Sequence, residues 1–170
     1  MAEPVPLGRR REDVIAVGPV RRRWFDGDAT LACLAPIRTF VRECTAAAEC
    51  DAEATADLVQ AVDEAATNVI VHGYRGDGPI EVEFELDQDR VAVRLLDEAP
   101  EFDVTTVPPP DLSIPPLERR PGGMGVHLMR TLTDDLRHRP RPGGGNELTL
   151  IRDRRARGAS GDANDGRERR

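Results

Sequence analysis

Apolar positions along the chain change period in a fixed order. Leu31, Leu34, Ile37, Phe40 and Val41 recur every three or four residues, the spacing of one buried helical face. Asp28 stands ahead of this run as its expected N-cap. Pro36 falls inside it, where it either kinks the helix or occupies its first turn. Leu58, Val62, Ala65, Val69 and Ile70 set a second helix over residues 53–72, with Gly73 the expected C-cap. The period then falls to two. Ile80, Val82 and Phe84 alternate with Glu81, Glu83 and Glu85, and Val91, Val93 and Leu95 follow a Gln88-Asp89-Arg90 turn. This pattern predicts an antiparallel hairpin with one buried face.

Between residues 99 and 121 no period holds, and prolines stand at 100, 108–110, 115, 116 and 121. So long an irregular stretch is either a functional lid or a disordered insert. A third helix is expected over 125–136, a short strand within 137–142, and a Gly143-Gly144-Gly145 turn entering a buried edge strand at 147–151. Short strands are also expected at 14–17 and 22–25. Residues 1–12 and the Arg-, Asp- and Gly-rich residues 153–170 read as loose ends around one domain at 13–152. Hairpin-joined strands with helices grouped apart predict an α+β fold: a two-layer sandwich, its mixed, mostly antiparallel sheet covered on one face by about three helices.

Composition narrows the function. The net charge of −7 argues against a general nucleic-acid binder. The chain has no lysine, so a cationic side chain that meets phosphate must be arginine. Cys33, Cys44 and Cys50 match neither a CxxC nor a zinc spacing and read as free thiols in a reducing cytoplasm. No apolar run is long enough to span a membrane, and the first residues lack the apolar core of a signal peptide.

Three short motifs carry candidate chemistry. Glu64 and Asn68 lie one helical turn apart, about 6 Å along the axis, with His72 a turn further on. A carboxylate and an amide oxygen so placed can work around a hydrated Mg²⁺ and a phosphate; the same stripe also suits a solvated helix face. Asp97 closes the second hairpin strand, where it is either a charged turn residue or an acceptor for an exocyclic amine such as that of adenine. Gly122, Gly123, Met124 and Gly125 open the third helix, where small residues let backbone N–H groups approach a polyphosphate, or simply supply a flexible loop. Arg119 and Arg120 precede them. Thr149, on the last strand, is a further candidate to face the base.

An acid–amide helix, an acid after a hairpin strand and a glycine-rich helix start, in this order, resemble the GHKL or histidine-kinase-like ATPase family over about residues 22–152. Residues 62–74 and 120–130 are similar to the RsbW-type anti-sigma-factor serine/threonine kinases within it. The resemblance implies the Bergerat-type sandwich, with ATP and Mg²⁺ as ligands. It makes Glu64 the general base, Asn68 the Mg²⁺ ligand, Asp97 the adenine-binding acid, Gly122, Gly123 and Gly125 the phosphate loop, Arg120 a phosphate contact and 99–121 the ATP lid. It implies a cytoplasmic regulator that phosphorylates a STAS-domain anti-sigma-factor antagonist and binds a sigma factor or similar regulator, in a family where homodimers are common. The chain departs in three places: the lid is Pro-rich rather than Gly-rich, Asn146 or Glu147 stands where a threonine is expected after the last glycine turn, and the third lies directly after Asp97. The family's Asp-x-Gly-x-Gly is Asp97-Glu98-Ala99-Pro100-Glu101 here, and a positive φ at residue 99 would strain the alanine. A nucleotide-gated binding module without catalysis, and the catalytic half of a split histidine kinase, are the alternative readings.

Overall fold

A computed structural model of the chain describes residues 9–11, 21–74, 77–111, 113 and 123–155. Strands β1 (Arg9–Arg11), β2 (Arg21–Asp28), β3 (Pro79–Asp87), β4 (Arg90–Asp97), β5 (Asp135–Pro140) and β6 (Asn146–Asp153) form one sheet in the order β1-β2-β3-β4-β6-β5. Helices α1 (Leu34–Ala47), α2 (Ala52–Asn68) and α3 (Met124–Leu132) complete the sandwich. Every pairing among the described residues is antiparallel, so the sheet is not mixed. The last strand is not an edge either: β6 lies between β4 and β5.

The hairpin follows its alternation. Ile80, Val82, Phe84 and Leu86 of β3, with Val91, Val93 and Leu95 of β4, are all buried, and the glutamates between them face the other way. Those apolar residues meet Ile37, Phe40 and Val41 of α1, Leu58 and Val62 of α2, and Val126 and Met129 of α3 in one core. Each fully buried Leu, Ile or Phe contributes about 1.5–3 kcal/mol.

Several helix ends differ from expectation. Asp28 ends β2 and caps nothing; a short 3-10 turn, Leu31–Cys33, leads into α1 instead. Pro36 is the third residue of α1, in the first turn, where backbone N–H groups have no intrahelical acceptor to lose. The Asp51 side chain accepts from the Ala54 N–H at 2.8 Å and so starts α2. α2 ends not in a glycine cap but in a wide π-turn, Val69–Gly73, and Gly73 has no positive φ. α3 stops at Leu132, four residues early. Thr133 is extended there, its hydroxyl donates to the Met129 carbonyl at 2.6 Å, and Leu136 pairs with Leu150 in the sheet. Sheet pairing outweighs the helical spacing. Arg9–Arg11, expected to be loose, pairs with β2. The expected strand at 14–17 and most of the expected tail lie outside the described residues.

One buried ion cluster fastens α2 to the sheet. Arg152 of β6, with a side chain 3% exposed, reaches Asp57 of α2 at 3.0 Å and Asp134, just past α3, at 3.2 Å.

Candidate functional site

α2 and α3 meet where both carry candidate residues. A Cβ built on Gly125 would lie 2.8 Å from Glu64 Oε2, 3.7 Å from Asn68 Nδ2 and 3.8 Å from Asn68 Oδ1. The acid–amide pair therefore faces the first turn of α3, and glycine at 125 is what lets it approach. Gly123 precedes that helix at φ 81°, a left-handed conformation that only glycine adopts without strain. His127 N–H donates to the Gly123 carbonyl at 2.9 Å, so helical pairing begins there, and among the described residues nothing takes up the earlier N–H groups. A helix start with open donors beside a carboxylate and an amide can hold an anionic group and a cation together. Met124, between the two glycines, is 38% exposed. Arg120 and Gly122 lie outside the described residues.

Asp97 lies at the far end of the hairpin and is 3% exposed. Two donors reach its side chain, Asn146 Nδ2 and the Ala99 N–H, each 2.9 Å from Oδ1. Among the described residues no donor reaches Oδ2. Burial pushes this carboxyl above the ordinary aspartate range, against the lowering effect of both hydrogen bonds. The outcome is a buried acid with one oxygen anchored and the other open to an incoming N–H. Gly145, at φ 96°, runs against the Asp97 backbone; a Cβ there would lie 2.9 Å from the Asp97 carbonyl carbon. The Gly143–Gly145 turn thus serves this acid as well as β6. Ala99, in place of a glycine, is unstrained: among the described residues, Glu49 and Gln88 are the non-glycines with positive φ.

Tyr74 joins the two ends of the region. Its hydroxyl donates to the Pro79 carbonyl and accepts from the Glu98 N–H, both at 2.7 Å. Gly73 fits beneath Ala99, 3.0 Å away from it by a built Cβ. Arg130 of α3 donates to the carbonyls of Val107 at 2.7 Å and Thr105 at 2.8 Å, which ties α3 to the start of the irregular stretch.

Thr149 does not join these residues. It pairs with Arg94 on β4 and Arg137 on β5, one step out of phase with Asp97 and Asn146, so it lies on the opposite face of the sheet from the helices. Asn146, paired directly with Asp97, takes the position beside the acid. His72 is exposed on the π-turn. The cysteines are free, and burial with Asp28 nearby pushes the Cys33 thiol up to about 11, as suits a packing group.

Asn146 stands where the resemblance implies a threonine; Tyr74 and Arg130 fall within the similar segments 62–74 and 120–130 but carry no assigned role there, and His138 falls outside every motif. Their roles come from contacts the fold makes: Tyr74 with Pro79 and Glu98, His138 with Asn146, and Arg130 with Val107 and Thr105.

The donor set fits magnesium in one form. No cluster of three His, Cys, Asp or Glu side chains occurs among the described residues. Magnesium held here would take Asn68 oxygen, water and substrate phosphate, the mixed shell this ion favours. Glu64 also borders a groove of about 660 Å³ between α1 and α2, lined by Arg38, Arg42, Gln60 and Asp63 among others. Arg38 and Asp63 form an ion pair at 2.6 Å across it. No helix among the described residues is long and apolar enough to cross a membrane.

Several known proteins are similar to this chain. A serine-protein kinase RsbW from Listeria monocytogenes is 38% identical over 91 residues, covering 50% of this chain and 58% of that protein. An anti-sigma F factor from Clostridium beijerinckii is 36% identical over 98 residues, 55% of this chain and 67% of that protein. The chain spans little more than half the length of the RsbW relatives it matches. A crystal structure of the RsbU and RsbW domains of a Mycobacterium tuberculosis protein superposes at a TM-score of 0.53 and 25% identity, over 74% of this chain and 30% of that one. The profile of the histidine kinase-like ATPase domain matches residues 28–152, a span that takes in α2, Asp97 and the start of α3, and on that match the chain belongs to the histidine kinase-like ATPase family.

Proposed function

We propose that the chain is an ATP-dependent serine/threonine protein kinase that phosphorylates a STAS-domain anti-sigma-factor antagonist and binds a sigma factor or similar regulator. The observation that carries this reading is the approach of Gly125 to Glu64 and Asn68, and the buried Asp97 adds to it. Asp97 Oδ2 accepts the adenine amine. Gly123, Met124 and Gly125 bring backbone N–H groups to the phosphates, with Gly122 and Arg120 assigned to the same role. Asn68 holds Mg²⁺, which supplies charge neutralisation on the phosphates when bound. Glu64 takes the proton as a serine or threonine oxygen bonds to the γ-phosphorus and the bond to ADP breaks. Phosphoryl transfer asks the protein mainly for such positioning and charge compensation.

The groove beside Glu64 supports a protein acceptor. Glu64 lines it and no α3 residue does, so a hydroxyl on a partner docked there would come up beside the base. The names of the RsbW and anti-sigma F relatives support the partner class.

Labelled ATP, the purified chain and a STAS-domain partner test the reading. Wild type should yield acid-stable phosphoserine or phosphothreonine on the partner. Glu64→Ala should bind ATP yet transfer at under about one hundredth of the wild-type rate, the scale of one general base. Transfer by that variant at the wild-type rate would remove Glu64 from the chemistry. The glycine-free Glu98–Glu101 favours a second reading, a nucleotide-gated binding regulator; ATP-dependent capture of a partner without transfer would select it. An acid-labile product would instead select the split histidine kinase.

A further inference from the structure

The segment after Asp97 is held from outside itself. Asn146 Nδ2 donates to Asp97 Oδ1 at 2.9 Å and lies 3.4 Å from the Ala99 carbonyl and 3.3 Å from the Pro100 carbonyl. Asn146 Oδ1 accepts the Phe102 N–H at 2.9 Å. One amide therefore spans the whole turn from 97 to 102. Its orientation is fixed, because a flipped amide would set its oxygen against three acceptors. His138 Nε2, 3.0 Å from Asn146 Oδ1, must then carry the hydrogen and donate. The imidazole is 4% exposed, and its Nδ1 lies 3.6 Å from Asp103 Oδ1. Asp103 in turn accepts from the Thr105 N–H at 2.8 Å and the Thr105 hydroxyl at 2.6 Å, which starts the Val104–Thr106 turn.

We infer that Asn146 and His138 are positioning residues for base selection. Together they fix the turn that aims Asp97 Oδ2, so the site selects a purine with an amine at position 6 over one with a carbonyl there. The inference rests on the nucleotide reading above and adds the source of its selectivity. Three features carry it. Asn146 is 7% exposed and directly paired with Asp97 in the sheet, its amide has a partner at each end, and the turn it holds contains no glycine of its own. Without the amide, Asp97 keeps the Ala99 N–H but loses the donor that sets its rotation, and the carbonyls of Ala99 and Pro100 lose a shared contact. His138 acts one step back, by pinning the amide.

The test is the ratio of ATP to ITP affinity, measured by titration calorimetry on the full chain. ITP carries an oxygen where ATP carries the amine, and this oxygen faces the open carboxylate oxygen. Wild type should prefer ATP at least tenfold. Asn146→Leu, close in shape and without polar atoms, should bring the ratio near one, by weakening ATP while ITP changes less than about twofold. His138→Leu should lower the ratio several-fold, and His138→Gln, which keeps an N–H donor, should recover part of it. A purely structural role would weaken both nucleotides alike and leave the ratio intact. An unchanged ratio in Asn146→Leu overturns the inference while the nucleotide site stands. Should that variant fail to fold, an unchanged ratio in His138→Leu overturns it equally. A wild-type protein that binds neither nucleotide, or both equally, defeats Asp97 as the amine acceptor and the inference with it.

Discussion

Gly125→Ala separates the site from the fold with one methyl group. Residue 125 is the second residue of α3 and has no positive φ, so alanine suits its backbone. Helix propensity alone favours the change by up to about 1 kcal/mol. Against this, the new Cβ would lie 2.8 Å from Glu64 Oε2, where ordinary contact begins at 3.4 Å. The carboxylate is the end of a flexible side chain and yields by about 0.6 Å or rotates away, a modest cost in stability of under about 1 kcal/mol. The two effects nearly cancel, so the melting temperature should move by less than about 4 °C. Catalysis should not be so tolerant. A misplacement near 1 Å costs on the order of 100-fold in rate, or about 2.7 kcal/mol of barrier. The methyl group also intrudes where the phosphates approach the α3 backbone, so ATP should bind more weakly too. Thermal melts, calorimetry with Mg-ATP and single-turnover transfer give the three readouts. A variant that melts like wild type and also transfers at the wild-type rate would refute the placement of Glu64 against α3 as the reacting centre.

Two further outcomes follow from the buried charges. Burial raises Asp97 in the folded chain, so stability from this residue falls as pH rises through the window between the ordinary aspartate value of about 4 and its raised folded value. ATP affinity should rise across that same window, because the amine needs the ionised acceptor; calorimetry and melts against pH should show opposite slopes, and Asp97→Asn should flatten both. Arg152→Ala leaves Asp57 and Asp134 without their shared guanidinium and should cost about 3–5 kcal/mol in urea unfolding, whereas a loss below about 1 kcal/mol would show that water replaces the cluster freely.

The strongly periodic parts of the chain were legible because local pattern and burial agree there. The β3–β4 hairpin and the buried faces of α1 and α2 sit where their spacing placed them, except that Leu31 lies exposed on the turn ahead of α1. Motif order also identified the family, because its residues lie on long elements with little freedom of register. Ends were harder. Asp28 had the chemistry of a cap, but β2 continues through it to pair with Pro79. Leu136 continued a helical spacing yet serves β5, a preference set by Leu150 across the ladder. Thr149 shows how a strand hides its facing: a shift of one residue reverses it, and the register follows from Asp97 opposite Asn146. His138 sits among arginines in β5, and nothing within that strand reveals that it reaches Asn146 and Asp103.

The most direct measurement is a crystal structure of the chain with Mg²⁺ and a non-hydrolysable ATP analogue. The account predicts the adenine amine within hydrogen-bond reach of Asp97 Oδ2, the phosphates against the backbone of Gly123–Gly125, and the metal on Asn68 with Glu64 facing the terminal phosphate. A nucleotide bound on another surface, or a base turned away from Asp97 with Glu64 remote from the γ-phosphate, would contradict it.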